Sequence, residues 1–192
     1  MTKIKGIILA GGDGTRLKPM TDLISKQLLP IYNKPMIFYP LSVLIKAKIK
    51  DILIITKPDE KNSFIKILGN GSKWGVNIDY IVQEKPRGIA EAYILAEDWL
   101  KNSRSLLILG DNLFFGHGLN SLIRKTFKKK SGATIFAYQV SDPHRYGVVS
   151  FKENGQIKNI IEKPKITKSR WAVTGMYYYD EFASKIVKDL KP

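Results

Sequence analysis

The 192-residue sequence has no cysteine, so disulfide bonds, thiolate metal sites and a cysteine nucleophile are all excluded. It has only two histidines, His117 and His144, and neither has a partner at the spacing of metal ligands. We therefore predict that both histidines are loop residues without chemistry. Without cysteine, the sequence gives no indication of a redox compartment.

Long apolar runs are also missing. No run approaches the length of a membrane span, and residues 1–5 lead directly into a predicted strand without the apolar segment of a signal peptide. These absences predict a soluble cytoplasmic protein that does not associate with a membrane.

Acidic residues are scarce, because 17 Asp and Glu stand against 32 Lys and Arg, for a formal charge of +15. Such an excess is compatible with nucleic acid, an acidic membrane or small polyanionic substrates as partners. The lysines are scattered along the chain, and the one tight run, 128–130, follows a predicted helix whose dipole it would complement. We therefore expect no nucleic-acid binding.

Apolar strands alternate with amphipathic helices up to about residue 130. The predicted strands are 5–9, 52–56, 76–82 and 106–109, and the predicted helices are 36–48, 59–68, 88–100 and 119–129. This alternation predicts an α/β fold with a mostly parallel sheet that is covered on both faces.

From residue 131 onward the sequence is rich in strand signals. The predicted strands are 133–140, 147–151, 157–162 and 172–179, followed by a helix at 181–190. A turn at Glu153-Asn154-Gly155 predicts a hairpin. The tyrosines 177–179 alternate between faces, which predicts that one ring is buried and another lines a pocket. We predict one domain, 1–192, in which a nucleotide-binding part to about 130 is followed by strands of the same sheet that carry a sugar site.

The first strand runs directly into a glycine-rich loop, Gly11, Gly12 and Gly14, that ends in Thr15 and Arg16. Glycine has no Cβ, so its backbone N–H groups can approach a polyphosphate closely. Thr15 adds a hydroxyl group, and Arg16 adds a planar cation that matches phosphate oxygens. The spacing fits neither the dinucleotide fingerprint nor the P-loop, so a different nucleotide-binding loop is predicted.

Five ordered blocks extend this signal along the chain: residues 8–37 with their glycine loop, then 109–112, 142–149, 162–165 and 172–175. With these blocks the chain resembles the sugar-phosphate nucleotidylyltransferase family and, within it, the glucose-1-phosphate thymidylyltransferases. The resemblance implies a three-layer, Rossmann-like nucleotidyltransferase fold with a mostly parallel mixed sheet. Family members continue for about a hundred more residues, roughly one small domain. The chain is therefore expected to be truncated and to lack the family's second metal-binding aspartate.

The implied reaction is attack of glucose 1-phosphate on the α-phosphorus of dTTP, giving dTDP-glucose and pyrophosphate, the first step of dTDP-rhamnose and related deoxysugar synthesis. Two anions must meet, so positioning and charge neutralisation dominate catalysis. The resemblance implies that Arg16 and Lys26 neutralise the triphosphate and that Lys163 pairs with the sugar phosphate. It also implies that Asp111 is catalytic and binds Mg²⁺. The alternatives are ordinary surface cations and, for Asp111, a turn residue.

The resemblance further implies a set of substrate-binding residues. They are Leu9, Gly11, Gly12, Gly14, Thr15, Gln27, Gln83, Gly88, Asn112, Tyr146, Gly147, Glu162 and Val173. In this set Gln83 and Gly88 read the pyrimidine base, Glu162 accepts hydrogen bonds from sugar hydroxyls, and Gly147 leaves room for the sugar ring. Loop glutamines and charged strand ends are common, so a role without chemistry is the alternative for each.

Two residues depart from the family pattern. Asp13 stands in the glycine loop where a small residue is usual, so its carboxylate either points to water or helps to hold magnesium. Arg87 stands where an acidic residue is expected, which could shift the base preference. Transfer to another hexose 1-phosphate or from another nucleotide therefore stays open, as does a truncated chain with little activity. Family members form homotetramers, so a homo-oligomer is expected.

Overall fold

A computed structural model of the protein describes residues 3–85 and 87–190. Its strands are β1 (Ile4–Leu9), β2 (Pro30–Ile31), β3 (Lys34–Pro35), β4 (Asp51–Thr56), β5 (Asn77–Val82), β6 (Arg104–Leu109), β7 (Ala133–Gln139), β8 (Gly147–Phe151), β9 (Ile157–Glu162) and β10 (Trp171–Tyr179). Its α-helices are α1 (Phe38–Lys46), α2 (Lys61–Leu68), α3 (Ile89–Leu95), α4 (Glu97–Leu100), α5 (Leu119–Thr126) and α6 (Ala183–Ile186).

Eight strands form one mixed sheet in the order β5-β4-β1-β6-β10-β8-β9, with β7 also paired to β10. The first four strands in this order are parallel, and the other pairings are antiparallel. Ile8 of β1 is aligned with Ile54 of β4 on one side and with Ile108 of β6 on the other. The next two strands of this sheet, β4 and β5, thus lie on one side of β1, and the following strand, β6, lies on its other side. Sheets of this kind bind ligands at the carboxyl ends of the strands where the order reverses.

Helices cover both faces of the sheet. Successive strand residues point to opposite faces, and apolar side chains on each face pack against a different set of helices. One core contains the side chains Ile8, Leu41, Leu44, Ile54, Phe64, Ile108 and Ile123, which join the strands to α1, α2 and α5. The opposite core contains Ile7, Leu53, Ile55, Tyr93, Leu100, Leu107 and Ala183, which join them to α3, α4 and α6. The predicted α/β fold with three layers and a mixed central sheet is confirmed. The sheet is less parallel than predicted, because three of its described strand pairings are parallel and four are antiparallel.

The long strand β10 joins the two halves of the sheet. Its residues 171–172 pair with β8, its residues 176–179 pair with β6, and β7 runs along its other edge. Tyr178 is buried in the first core, whereas Tyr177 and Tyr179 lie on the opposite face with stacked rings. The predicted alternation of the tyrosines and the hairpin between β8 and β9 are therefore confirmed.

Several predicted boundaries are wrong. The helix predicted from residue 36 begins at Phe38, because the Met36 and Ile37 amides donate to backbone carbonyls of residues 29 and 27. The helix predicted at 88–100 is interrupted at Ala96, where ψ is 0°. The helix predicted at 119–129 ends at Thr126, so the lysine run at 128–130 lies beyond it.

The other differences lie at element ends, except that the two-residue strands β2 and β3 were not predicted. β6 begins at Arg104 because ladder pairing with Ile4 extends it beyond its apolar residues. The predicted 181–190 helix is α-helical only over α6 and continues as a 3₁₀ turn at Val187–Asp189. Within residues 3–85 and 87–190, none of the helices has both the length and the apolar character that crossing a membrane requires.

Candidate active site

The glycine loop, residues 11–16, follows β1 at the carboxyl end of the sheet, and its second half lines a small recess. This recess has a volume of about 230 Å³ and is lined by Gly14, Thr15, Arg16, Leu17 and Lys26. The hydroxyl of Thr21 donates to the Gly14 carbonyl at 2.9 Å, which fixes the end of the loop. Two cations and a glycine backbone therefore face one anion-sized space.

An ion pair joins this recess to the strand next to β1. Lys26 Nζ lies 2.8 Å from Asp111 Oδ2, and about a third of each side chain is exposed, 29% and 34%. Asp111 follows β6 and the buried turn residue Gly110. Beneath the pair, Gln27 is buried and its Oε1 accepts a hydrogen bond from the Ser25 hydroxyl at 2.7 Å. Lys26 is thus held on a fixed segment.

Gln83 lies on the other side of the glycine loop, at the end of β5. Its side chain is 2% exposed. Its Oε1 would be 2.6 Å from a Cβ at Gly11, so this approach requires glycine. The Gln83 amide donates from Nε2 to Glu91 Oε2 at 2.5 Å, and the Arg87 backbone amide donates to the same oxygen at 2.9 Å. Gly88, with φ +96°, begins α3 between them.

A large cavity of about 820 Å³ opens beside Asp111. Its lining includes Leu109, Asp111, Asn112, Phe115, Tyr138, Arg145, Tyr146, Gly147, Glu162, Val173, Tyr177 and Tyr179. Burial raises the pKa of Tyr177 to about 12, with smaller contributions from Tyr179 and Glu162. Burial also raises the pKa of Tyr179. Both phenols are therefore neutral donors and acceptors throughout the physiological range.

The walls of this cavity come from β8, β9 and β10. Gly147 is aligned with Glu162, and a Cβ at Gly147 would approach Glu162 Oε2 to 3.1 Å. The Lys163 amide donates to the Tyr146 carbonyl at 3.0 Å, and the Lys163 ammonium lies 3.4 Å from Glu162. Glycine at 147 thus leaves the carboxylate of Glu162 facing open space.

A model of nucleotidyl transferases matches residues 5–192 of this chain. The chain belongs to the nucleotidyl transferase family. It is 54% identical over 192 residues to the glucose-1-phosphate thymidylyltransferase of Xanthomonas campestris pv. campestris (strain B100). The matched region is all of this chain but only 65% of that protein. The enzyme of the same name from Neisseria meningitidis is 52% identical over 189 residues, which cover 98% of this chain and 66% of that protein.

Solved structures agree with this assignment. A Bacillus anthracis protein described as a glucose-1-phosphate thymidylyltransferase, in complex with a sucrose, has a TM-score of 0.92 and 42% identity, covering 98% of this chain and 76% of that one. A UDP-glucose pyrophosphorylase complexed with UDP-glucose has a TM-score of 0.84 and 25% identity. That match covers 100% of this chain and 81% of the other. The predicted nucleotidyltransferase fold is confirmed.

In this nucleotidyl transferase the predicted site residues fall into three neighbouring groups. Gly14, Thr15, Arg16 and Lys26 line the small recess. Gly11 and Gln83 are in contact. The predicted sugar residues Tyr146, Gly147, Glu162 and Val173 line the large cavity with Asp111 and Asn112, whereas Lys163 lies beside it.

The other predicted residues form the framework between these groups. The Leu9 carbonyl accepts from the Gly110 amide at 2.8 Å, which ties β1 to the Asp111 turn. Asn112 donates from Nδ2 to the Thr174 carbonyl at 2.5 Å, which ties the same turn to β10. A Cβ at Gly12 would meet nothing within 4 Å, so the loop is open there.

Asp13 is exposed, as one of its two predicted environments requires, and it also has a partner that the sequence did not predict. Its carboxylate lies 3.0 Å from the Nζ of Lys57, the residue that directly follows β4. Burial alone would lower the pKa of Lys57, but the hydrogen bond to Asp13 and the charge of Glu60 outweigh it and raise that pKa. Burial raises the pKa of Glu60. The loop carboxylate is therefore neutralised by a lysine.

Sequence reasoning missed Lys57, Ser25 and Glu91. Lys57 directly follows a parallel strand, and the rule that ligands bind at carboxyl strand ends would have selected it. Glu91 lies three residues after the helix start at Gly88, the spacing of a capping glutamate. Ser25 has no comparable signal in the sequence, because its hydrogen bond to Gln27, two residues away, depends on the local path of the backbone.

Neutralising Asp13 is expected to strengthen nucleotide binding. In Asp13→Asn the Kd for a nucleoside triphosphate should fall about threefold at low salt, because one unit charge costs roughly 0.7 kcal/mol at a separation of about 6 Å in water. At about 0.5 M salt the difference should shrink, because exposed charges are screened. Calorimetric Kd values at both salt concentrations test this. A rise in Kd would instead indicate that the pair with Lys57 holds the loop in its binding shape.

Proposed function

We propose that the protein transfers a thymidylyl group from dTTP to glucose 1-phosphate, with release of pyrophosphate and formation of dTDP-glucose. The proposal rests on one juxtaposition above all. Lys26 lines the small recess, Asp111 lines the large cavity, and their side chains are 2.8 Å apart. The two spaces therefore meet at one ion pair, where the phosphates of two bound substrates would also meet.

In this proposal the small recess takes the triphosphate. Arg16 presents a fork of donors, and Lys26 presents a compact point charge. Gly11, Gly12 and Gly14 bring backbone amides close to the phosphate oxygens, with Gly12 as the open position. These groups offset the charge that repels an incoming phosphate and stabilise the charge on the departing pyrophosphate.

The large cavity takes the hexose phosphate. Glu162 accepts hydrogen bonds from sugar hydroxyls, while Tyr146 and Val173 pack against the ring. Lys163, 3.4 Å from Glu162, pairs with the sugar phosphate and directs one of its oxygens at the α-phosphorus. The phosphate nucleophile is already ionised, so no general base is required.

Asp111 is the residue that would hold Mg²⁺. Magnesium in such sites takes one or two carboxylates together with phosphate oxygens and water. The part of the chain that the structure describes has no group of three His, Asp or Glu placed for a metal. One partly exposed carboxylate beside a phosphate-sized recess fits a cation whose other ligands come from substrate and water. When bound, the cation would supply charge neutralisation on the phosphate oxygens.

Two wider features of the proposal follow from the same resemblance. The reaction would be the first step of dTDP-rhamnose and related deoxysugar synthesis and would take place in the cytoplasm. Residues 1–192 would act as one nucleotidyltransferase unit within a homo-oligomer. Size-exclusion chromatography with light scattering tests the assembly directly.

A second candidate function is uridylyl transfer to the same sugar phosphate. It is favoured by the structural similarity to a UDP-glucose pyrophosphorylase and by Arg87, which lies exposed beside Gln83 where an acidic residue was expected. The two functions differ only in the nucleotide.

Pyrophosphate release tests both functions. The protein would be incubated with glucose 1-phosphate, Mg²⁺ and each of dTTP, UTP, ATP and GTP in turn, with dTTP binding measured in parallel. The thymidylyl proposal predicts the fastest release with dTTP. Faster release with UTP would select the second candidate, and a folded sample that binds dTTP without any release would contradict both.

A further inference from the structure

Glu91 holds the amide of Gln83 in one orientation. A glutamine amide has a donor end and an acceptor end, and it can exchange the two by a half turn about its last bond. An ionised carboxylate can only accept hydrogen bonds, so a contact of 2.5 Å to Glu91 Oε2 selects the Nε2 end. Oε1 then points toward Gly11, where a Cβ would lie 2.6 Å away.

Under the proposed function, Oε1 is consequently the end of Gln83 that a base would contact. No hydrogen bond to it comes from residues 3–85 or 87–190. Gln83 is 2% exposed, so the environment of its amide is largely fixed by its neighbours. The same Glu91 oxygen also binds the Arg87 amide at 2.9 Å, which holds the loop before α3 against this side chain.

We propose that Glu91 is a positioning residue for base selection, which makes Gln83 present an acceptor to the N3–H group of a keto pyrimidine and thereby excludes cytosine. Thymine and uracil carry a donor at N3 beside a carbonyl oxygen, whereas cytosine carries an acceptor at N3 beside an amino group. The fixed amide pairs Oε1 with N3–H and its second Nε2 hydrogen with the carbonyl. Cytosine would require the opposite orientation, which places Oε1 against the Glu91 carboxylate.

This inference rests on the proposed function, because it assumes that Gln83 contacts the base. A purely structural role for Glu91 has a different consequence. If Glu91 only caps α3 through the Arg87 amide, its loss would weaken every nucleotide by the same factor and lower the melting temperature.

Glu91→Gln separates these roles. The new amide can accept from Gln83 or donate to it, so both orientations of Gln83 become available. Affinities for dTTP and dCTP would be measured by calorimetry without sugar phosphate, and kcat and KM by pyrophosphate release with it. We expect the preference for dTTP over dCTP to fall by on the order of ten- to a hundredfold, the scale of one bidentate base contact. The kcat with dTTP should change little.

Two further variants complete the design. Glu91→Ala removes the acceptor altogether and should also reduce the preference. Glu97→Gln removes a carboxylate from the neighbouring α4, where it pairs with Lys188, and should leave the preference unchanged. An equal loss for both nucleotides in the Glu91 variants, or a wild-type protein that does not distinguish dTTP from dCTP, would overturn the inference. A wild-type protein that discriminates in binding but releases no pyrophosphate would overturn the proposed function alone.

Discussion

Replacing Asp111 with asparagine is expected to reduce pyrophosphate release from dTTP and glucose 1-phosphate by on the order of 10²- to 10³-fold, the usual loss for one preorganised electrostatic group. The substitution keeps the side-chain shape and removes the charge at the junction of the small recess and the large cavity. Lys26 then loses its partner at 2.8 Å, and the proposed magnesium ligand becomes a weaker, neutral one. The main loss should appear in kcat, with a higher Mg²⁺ concentration needed for half-maximal rate.

Asp98→Asn is the matched control, because Asp98 is exposed in the first turn of α4. Its activity should equal that of the wild type. Circular dichroism would show that Asp111→Asn is folded, as expected for a partly exposed turn position. If Asp111→Asn retained more than about a tenth of the activity, a loss under roughly 1.4 kcal/mol, Asp111 would be a turn residue without a catalytic role.

Gly175→Ala is expected to lower the free energy of unfolding by about 2–5 kcal/mol. Gly175 has φ +70°, and an alanine in that left-handed region costs roughly 1–2 kcal/mol. Its Cβ would also lie 2.4 Å from Asn112 Nδ2 and 2.8 Å from Leu109 Cδ1, and such overpacking typically adds about 1–3 kcal/mol. Urea denaturation measures the sum.

Gly132→Ala separates the two contributions. Gly132 has a similar φ of +84°, but a Cβ there would meet nothing within 4 Å. It should therefore show only the backbone cost, about 1–2 kcal/mol. Equal destabilisation in the two variants would mean that Asn112 and Leu109 move aside at no cost. Because Asn112 lines the large cavity, Gly175→Ala should also raise the KM for glucose 1-phosphate.

The layout of the fold followed from hydrophobic periodicity, whereas its boundaries depended on long-range pairing. Apolar runs separated by amphipathic segments were sufficient to predict a largely parallel sheet and its covering layers, whereas its mixed character was implied by the family resemblance. They missed Arg104 because a polar residue enters β6 through its pairing with Ile4. They also placed the start of α1 too early, because the Met36 amide is used by the segment before the helix.

The residues of the candidate site could be listed from the sequence, but their contacts could not. The family resemblance implied separate roles for Lys26, on the triphosphate, and for Asp111, on Mg²⁺, yet the structure pairs them across 85 positions of sequence. The resemblance also treated Asp13 as a loop anomaly, although its partner Lys57 follows a different strand. Charged side chains from distant parts of the sequence meet at the edge of the folded sheet, and local sequence patterns do not predict such pairs. The roles of these residues stay predictions.

The place of β10 in the sheet has a consequence for synthesis on the ribosome. β7, β8 and β9 are made before β10, yet only β10 connects them to β6 and the parallel half. While these segments emerge, β6 has an open edge on the side that β10 later occupies, and unpaired strand edges invite association with other chains. A pause in translation after β9 would therefore prolong the aggregation-prone interval, whereas rapid elongation through residues 171–179 would shorten it.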